Sequence, residues 1–104
     1  MTDFQNSSIN PVANVYFDGG VVSHSIVLAD GSKKTLGILF PGTYRFDTVA
    51  PELMEITDGS CEIVVDGSET TRFIPTDESF NVNGNSGFSI TVHGGVCQYV
   101  CSYL

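Results

Sequence analysis

Cations are scarce in this 104-residue chain, and their scarcity limits the ligands that it can bind. The 4 lysine and arginine residues face 12 acidic residues, and the formal net charge is −8. Binding to nucleic acid through its phosphates requires several clustered cations, so we expect no nucleic-acid partner. A small phosphate ligand needs only one or two donors, and the planar fork of an arginine fits phosphate oxygens. Arg45, which lies within an aromatic strand-like segment, is the candidate, and the alternative is a surface arginine on a hairpin.

Histidine is scarcer still, with only His24 and His93 in the whole chain. The near-neutral pKa of imidazole suits His24 to proton transfer, whereas His93 lies beside Gly94-Gly95 and is expected to be exposed. Transition metals are usually held by several histidine and carboxylate side chains. Because two histidines cannot form a three-histidine site within one subunit, we expect no bound catalytic metal and no other cofactor.

The remaining candidates are aromatic and acidic side chains on predicted strands. Tyr44 and Phe46 have the same strand parity, so both can line one face, where a ring could stack on a planar ligand or simply fill the core. Tyr99 can offer its hydroxyl to a ligand or be a half-buried strand tyrosine. Glu52 and Glu55 are three residues apart, which on a strand turns them to opposite faces, so spacing does not make them a catalytic pair.

Short β-like runs separated by turn signals must position these side chains. Asp-Gly and Asn-Gly pairs supply the positive φ of tight turns, and no stretch of ten or more residues keeps a helical period. We therefore predict one all-β domain over residues 15–104, a sandwich or barrel of about ten short antiparallel strands, preceded by a flexible arm over residues 1–14. The predicted runs cover residues 15–17, 21–28, 34–40, 42–49, 53–58, 60–65, 69–73, 79–83, 87–93 and 98–103.

Compartment and assembly are judged from composition. Apolar runs are only four or five residues long, far from the roughly 20 that a membrane helix needs, so we expect no membrane partner. The polar start of the chain does not resemble a secretory signal, which indicates a cytoplasmic protein. Cys61, Cys97 and Cys101 are then expected to be free, mostly buried thiols. A domain of this size has a thin margin of stability, which favours a homodimer.

Several motifs resemble one known family. The most distinctive is Gly-x-Tyr-x-Phe-x-Thr-x-x-Pro-Glu-x-Met, which runs from Gly42 to Met54. Similarity extends from Val15 to the last residue and includes Tyr16-Phe17-Asp18-Gly19, Ser79-Phe80-Asn81-Val82 and the closing Tyr99-Val100-Cys101-Ser102-Tyr103-Leu104. With these motifs the chain resembles the small cupin-like pyrimidine/purine nucleoside phosphorylases.

The resemblance implies a fold, an assembly and an activity. The fold would be a single cupin-type, jelly-roll-like β-barrel, and the assembly a homodimer. The activity would be phosphorolysis of purine and pyrimidine nucleosides to free base and pentose 1-phosphate in nucleotide salvage, with inorganic phosphate as co-substrate. On this interpretation Arg45 binds phosphate, the catalytic residues are Glu52 and His24, and the nucleoside contacts are Tyr44, Phe46, Glu55 and Tyr99.

Two other interpretations remain open. The chain could be a non-catalytic cupin that binds a small metabolite without turning it over, which phosphate-dependent release of base would exclude. It could also be a purely structural β-module, which would have a barrel filled with side chains and no polar pocket.

Overall fold

Short strands joined by tight turns make up the computed structural model, which describes residues 3–104. Within those residues there are eleven strands and one 3₁₀ turn at Phe17–Gly19, and no helix is long and apolar enough to cross a membrane. The strands are β1 (Ser8–Ile9), β2 (Asn14–Tyr16), β3 (Val21–Val27), β4 (Lys33–Leu39), β5 (Gly42–Asp47), β6 (Glu52–Asp58), β7 (Cys61–Val65), β8 (Arg72–Ile74), β9 (Ser79–Val82), β10 (Gly87–Val92) and β11 (Cys97–Tyr103).

The strands form two antiparallel sheets of unequal width. The larger is seven-stranded, in the order β1-β3-β4-β11-β6-β9 with β2 also paired to β3, and the smaller has the order β5-β10-β7-β8. Their inner faces share one apolar core that includes Ile56 and Cys97 from the larger sheet and Ile63, Phe88 and Ile90 from the smaller. The architecture is therefore a sandwich of two layers around one core.

The all-β prediction is confirmed, and each of the ten predicted runs overlaps an observed strand. Two details differ. Strand hydrogen bonds within residues 3–104 form two separate sheets and do not close a single barrel. The predicted arm contains an eleventh strand, because Ser8 and Ile9 pair with Val27 and Ile26 of β3, a long-range contact that local propensity does not reveal. Residues 1–2 lie outside the described residues, and the flexibility of the arm stays a prediction.

The N-terminal segment covers the outer face of the larger sheet. Ile26 and Val100 are buried there although they do not belong to the core between the sheets. A cavity of about 600 Å³ remains on this face, lined by Phe4 and Ile9 from the segment together with β3, β4 and β11 residues. Covering this face removes apolar side chains from water, which stabilises the packed segment.

The turn between β6 and β7 places Gly59 in close contact with the backbone of Val96, at the end of the loop between β10 and β11. Gly59 has φ +83°, and a Cβ there would lie 2.3 Å from the Val96 carbonyl oxygen. Gly31, in the β3–β4 turn, has a similar φ of +86°, but a Cβ there would meet nothing within 4 Å. Backbone conformation therefore requires glycine at both positions, and packing requires it only at Gly59.

We expect Gly59→Ala to destabilise the protein more than Gly31→Ala. Both variants carry the cost of a left-handed alanine, about 1 kcal/mol, and Gly59→Ala adds a clash with backbone worth about 1–3 kcal/mol. Urea unfolding of both variants measures the difference. Equal losses would contradict a tight contact between the β6–β7 turn and Val96.

Candidate functional site

A cavity of about 820 Å³ opens between the sheets at the free edge of the smaller one. One wall is the inner face of the larger sheet, where residues of β2, β3, β4, β6 and β11 point towards it. The opposite wall comes from the edge strand β5 and from Phe88 of β10. Its size is that of a typical small-molecule site, and most of its surface is apolar with a few polar groups.

Aromatic rings form one side of the cavity. The Phe17 ring lies 5.6 Å from the ring of Phe46, which in turn stacks on Phe88 at 5.6 Å. Phe17 and Asp18 both have left-handed backbones, with φ of 52° and 55°, an uncommon conformation for such residues. The turn places the Phe17 side chain in the cavity wall and leaves it 48% exposed. A planar ligand could therefore stack on its ring.

A polar cluster lies on the opposite side, where β6 and β11 pair. The Cys101 thiol donates a hydrogen bond to Oε1 of Glu52 at 3.4 Å. Glu52 stands opposite Tyr103 in the register, and the Tyr103 hydroxyl lies 3.4 Å from Oγ1 of Thr35 on β4. Burial raises the pKa of Glu52, and the thiol hydrogen bond partly offsets this. Burial and the nearby Glu52 carboxylate raise the pKa of Cys101 to about 12, so this thiol stays protonated at neutral pH.

A second polar group lies deeper along the same face. The Tyr99 ring packs over Gly37, where a Cβ would come within 2.2 Å of the ring. Because β4 lacks a side chain at this point, Tyr99 reaches the buried hydroxyl of Ser23 on β3. Asn14 donates to Ser23 from the neighbouring strand at 3.3 Å. Burial raises the pKa of the Tyr99 hydroxyl, so it remains neutral and available for hydrogen bonds.

The guanidinium of Arg45 lies at the mouth of the cavity between two carboxylates. Its Nη1 and Nη2 donate to both oxygens of Asp66 at 2.5 Å, and its Nε and Nη2 donate to Asp47 at 3.2 and 3.0 Å. These hydrogen bonds raise the pKa of Arg45 above its ordinary value and lower that of Asp66. Four of the five N–H groups are thus engaged, and the three side chains together carry one negative charge.

Four of the seven residues predicted from the sequence line this cavity together. Phe46 belongs to the aromatic side, Glu52 to the polar cluster, Tyr99 to the deeper polar group and Arg45 to the mouth. They come from β5, β6 and β11, so both sheets contribute.

The structure corrects this grouping for the other three. Tyr44 is buried beneath Phe17, and its hydroxyl donates to the Phe40 carbonyl at 2.8 Å. His24 points to the outer face of the larger sheet, where Nδ1 lies 3.0 Å from the Asn10 carbonyl oxygen, in the second cavity. Glu55 lies outside the main cavity, because alternate residues of β6 face opposite ways. None of the three reaches the cavity in this arrangement.

The prediction from sequence missed Phe17, Thr35, Cys101 and Tyr103, all of which line the cavity. Cys101 and Tyr103 share the strand parity of Tyr99, so alternation along β11 could have identified them. Phe17 carries no such signal because it sits in a strained turn.

As for metals, no group of three or more His, Cys, Asp or Glu side chains is placed to hold an ion within residues 3–104.

Comparison with known proteins shows similarity over almost the whole chain. The pyrimidine/purine nucleoside phosphorylase family model matches residues 12–103. A pyrimidine/purine nucleoside phosphorylase from Paraburkholderia xenovorans is 52% identical over 103 residues, covering 99% of this chain and 96% of that protein. One from Syntrophotalea carbinolica is 47% identical over 104 residues, covering 100% and 99%.

Solved structures show the same fold. A protein of unknown function, DUF1255, from Acinetobacter sp. ADP1 superposes with a TM-score of 0.95 at 36% identity and covers 98% of both chains. The Fe(II) form of HppE has a TM-score of 0.74 at 12% identity, covering 89% of this chain and 55% of that one, and this likeness concerns the fold alone.

We expect Gly37→Ala to displace the Tyr99 ring and cost about 1–3 kcal/mol of stability. In a Tyr99→Leu background the same change should cost much less, since the ring that it strikes is gone. Urea unfolding of the two single variants and the double variant measures this coupling, with Gly94→Ala, where a Cβ meets nothing within 4 Å, as the control. Additive losses would show that Gly37 and Tyr99 do not depend on each other.

Proposed function

The chain belongs to the pyrimidine/purine nucleoside phosphorylase family, and we propose that the cavity between its sheets cleaves purine and pyrimidine nucleosides with inorganic phosphate. The products are the free base and pentose 1-phosphate. The observation that carries this assignment of the site is the meeting of an aromatic wall, a polar cluster and a cation in one cavity. The aromatic wall would contact the base, the polar cluster the ribose, and the cation the phosphate.

The nucleoside is matched by the two sides of the cavity. The rings of Phe17 and Phe46 offer π-faces on which any base can stack, which suits a broad base specificity. The side chains of Thr35 and Tyr103 offer hydrogen bonds to ribose hydroxyls. Cleavage passes through a sugar with oxocarbenium character, and phosphate itself is the nucleophile, so the protein need not supply one.

Phosphate binding at Arg45 requires an exchange of partners. Contacts among residues 3–104 leave one N–H of the guanidinium without an acceptor, and a phosphate needs at least two for a bidentate contact. Asp66 is bound through both oxygens at 2.5 Å, whereas Asp47 uses one oxygen at 3.0–3.2 Å and its side chain is 81% exposed. Phosphate therefore displaces Asp47, while Asp66 keeps the guanidinium oriented.

The proposal also includes a cupin-type fold, a homodimeric assembly and a cytoplasmic location. Two antiparallel sheets around one core support a jelly roll of the cupin type. The exposed apolar side chains of Val15 and Val49 at the cavity mouth support a homodimer that covers them. Three free cysteines support the cytoplasm as the compartment, because disulfides form in oxidising compartments, and the reaction suits nucleotide salvage there.

A second function, binding of a nucleoside-like metabolite without turnover, is favoured by one observation. The two carboxylates around Arg45 already compensate its charge, and a phosphate must compete with them. A binding protein would not need that exchange. Dependence of base release on phosphate separates the two functions.

The direct test is incubation of chelator-treated protein with uridine, adenosine, guanosine and inosine, with and without phosphate, followed by chromatography of the bases. We expect base release that requires phosphate and survives chelation. Arg45→Ala should raise the KM for phosphate about 10- to 100-fold through loss of charge-assisted hydrogen bonds, and Arg72→Ala, outside the cavity, is the control. Absence of release from folded protein would exclude the enzyme function.

We expect Asp47→Asn to lower the KM for phosphate about three- to fivefold, because it removes a like charge at the mouth and leaves only a weaker, neutral acceptor to compete for the guanidinium. Glu69→Gln, an exposed loop residue, changes the net charge equally and is the control. Initial rates at varied phosphate and fixed nucleoside measure the effect, which should shrink at high salt. An unchanged or higher KM in Asp47→Asn would mean that phosphate does not displace Asp47 from Arg45.

A further inference from the structure

Phosphorolysis requires a proton donor that neither the family match nor the geometry of Arg45 identifies. As the C1′–N bond breaks, its electron pair stays on the base, while a phosphate oxygen forms the new bond to C1′. The base leaves as an anion unless a proton reaches it in the same step, and proton donation typically contributes 10²–10⁴-fold to rate. The donor must line the cavity and be protonated when the substrate is bound.

Two carboxyl groups line the cavity, and their surroundings differ. Asp47 lies exposed at the mouth, and its Oδ1 already accepts hydrogen bonds from the Arg45 guanidinium. Glu52 contacts no cation among the described residues and is only half exposed. The hydroxyls of Tyr99 and Tyr103 have raised pKa values and are weak acids, and His24 lies on the far side of the sheet.

On the basis of the proposed function, we propose that Glu52 is the general acid that protonates the departing base, and that Cys101 is the positioning residue that orients it. The carboxyl proton passes to the base nitrogen or oxygen that receives the electron pair, and Glu52 is left as a carboxylate. Negative charge then appears on Glu52 as positive charge develops on the sugar beside it, which stabilises the transition state.

The contact with Cys101 determines which carboxyl oxygen can act. The thiol remains protonated at neutral pH and donates to Oε1, so the transferable proton resides on Oε2. Burial raises the pKa of Glu52, so a larger fraction of the carboxyl is protonated than in water. The hydrogen bond from the Cys101 thiol lowers the pKa and so limits this rise. A carboxyl tuned in this way can give up its proton and recover it during turnover.

Titratable groups from several strands share the cavity with Glu52. From β9 the cross-strand neighbour is Val82, which does not titrate. The titratable or charged residues of the lining, besides Glu52, are Tyr16 of β2, Arg45 and Asp47 of β5, and Tyr99, Cys101 and Tyr103 of β11. Of these, Cys101 is the one whose hydrogen bond acts on the pKa of Glu52.

The decisive experiment compares two substrates in the presence of phosphate. Inosine needs a proton on its base to leave, whereas 7-methylinosine has a cationic base that leaves neutral without one. Glu52→Gln keeps the shape and hydrogen bonds of the side chain but cannot transfer a proton. We expect it to lower kcat for inosine about 10²–10⁴-fold and kcat for 7-methylinosine less than about threefold, with Glu69→Gln as the control.

Each outcome of that comparison decides a different point. Equal losses on both substrates would overturn the general-acid role and leave Glu52 as a ribose contact. No loss on either would remove Glu52 from the reaction. If the wild-type protein cleaves neither substrate with phosphate, the proposed function fails, and the general acid fails with it.

Cys101 provides an independent test should Glu52→Gln fold poorly. A general acid must be protonated, so kcat falls as pH rises through the pKa of Glu52. Cys101→Ala removes the donor that lowers this pKa and should move the basic limb of the kcat profile up by about half a pH unit, while Cys101→Ser should restore it. An unmoved limb in Cys101→Ala would overturn the positioning role, and a downward shift would contradict the sign of the thiol's effect.

Discussion

The sheets are unequal in width, and the cavity depends on that inequality. Where they overlap, side chains such as Ile56, Ile63 and Ile90 pack into a dry core. Beyond the edge strand β5 the inner face of the wider sheet has no opposing strand. That part of the face carries Ser23 and Glu52, polar groups that would cost free energy if packed against an apolar layer. The cavity leaves Glu52 partly exposed, whereas the buried Ser23 hydroxyl accepts a hydrogen bond from Asn14.

Polar groups in the cavity are held in place by one another. Glu52 is bound by Cys101, and Arg45 by two carboxylates. No buried side-chain nitrogen or oxygen within residues 3–104 lacks a hydrogen-bond partner. The buried polar atoms of the site are thus satisfied before any ligand enters. The geometry is preorganised by these contacts, and preorganised dipoles and charges account for much of the power of enzyme sites.

Strand alternation correctly predicted which side chains share a face. Tyr44 and Phe46 do share a face, and Glu52 and Glu55 do point apart, as the period of two requires. His24 lies on the face of the sheet away from the main cavity, which the sequence did not indicate because parity along β3 does not reveal which side of the sheet meets the core. Tyr44 lies on the correct face, but Phe17 covers it, and this turn has an uncommon backbone that no local pattern indicates.

The sequence by itself determined the all-β class, the positions of ten strands and the family, because turn residues, alternation and motifs are local properties of the chain. The tertiary structure alone decided which side chains meet. Arg45 and Asp66 are 21 residues apart, and Glu52 and Cys101 are 49 apart. Such pairs depend on sheet order and register, which follow from the packing of the whole core. The pKa and orientation of Arg45 and of Glu52 are set by these distant neighbours, so only the folded chain defines them.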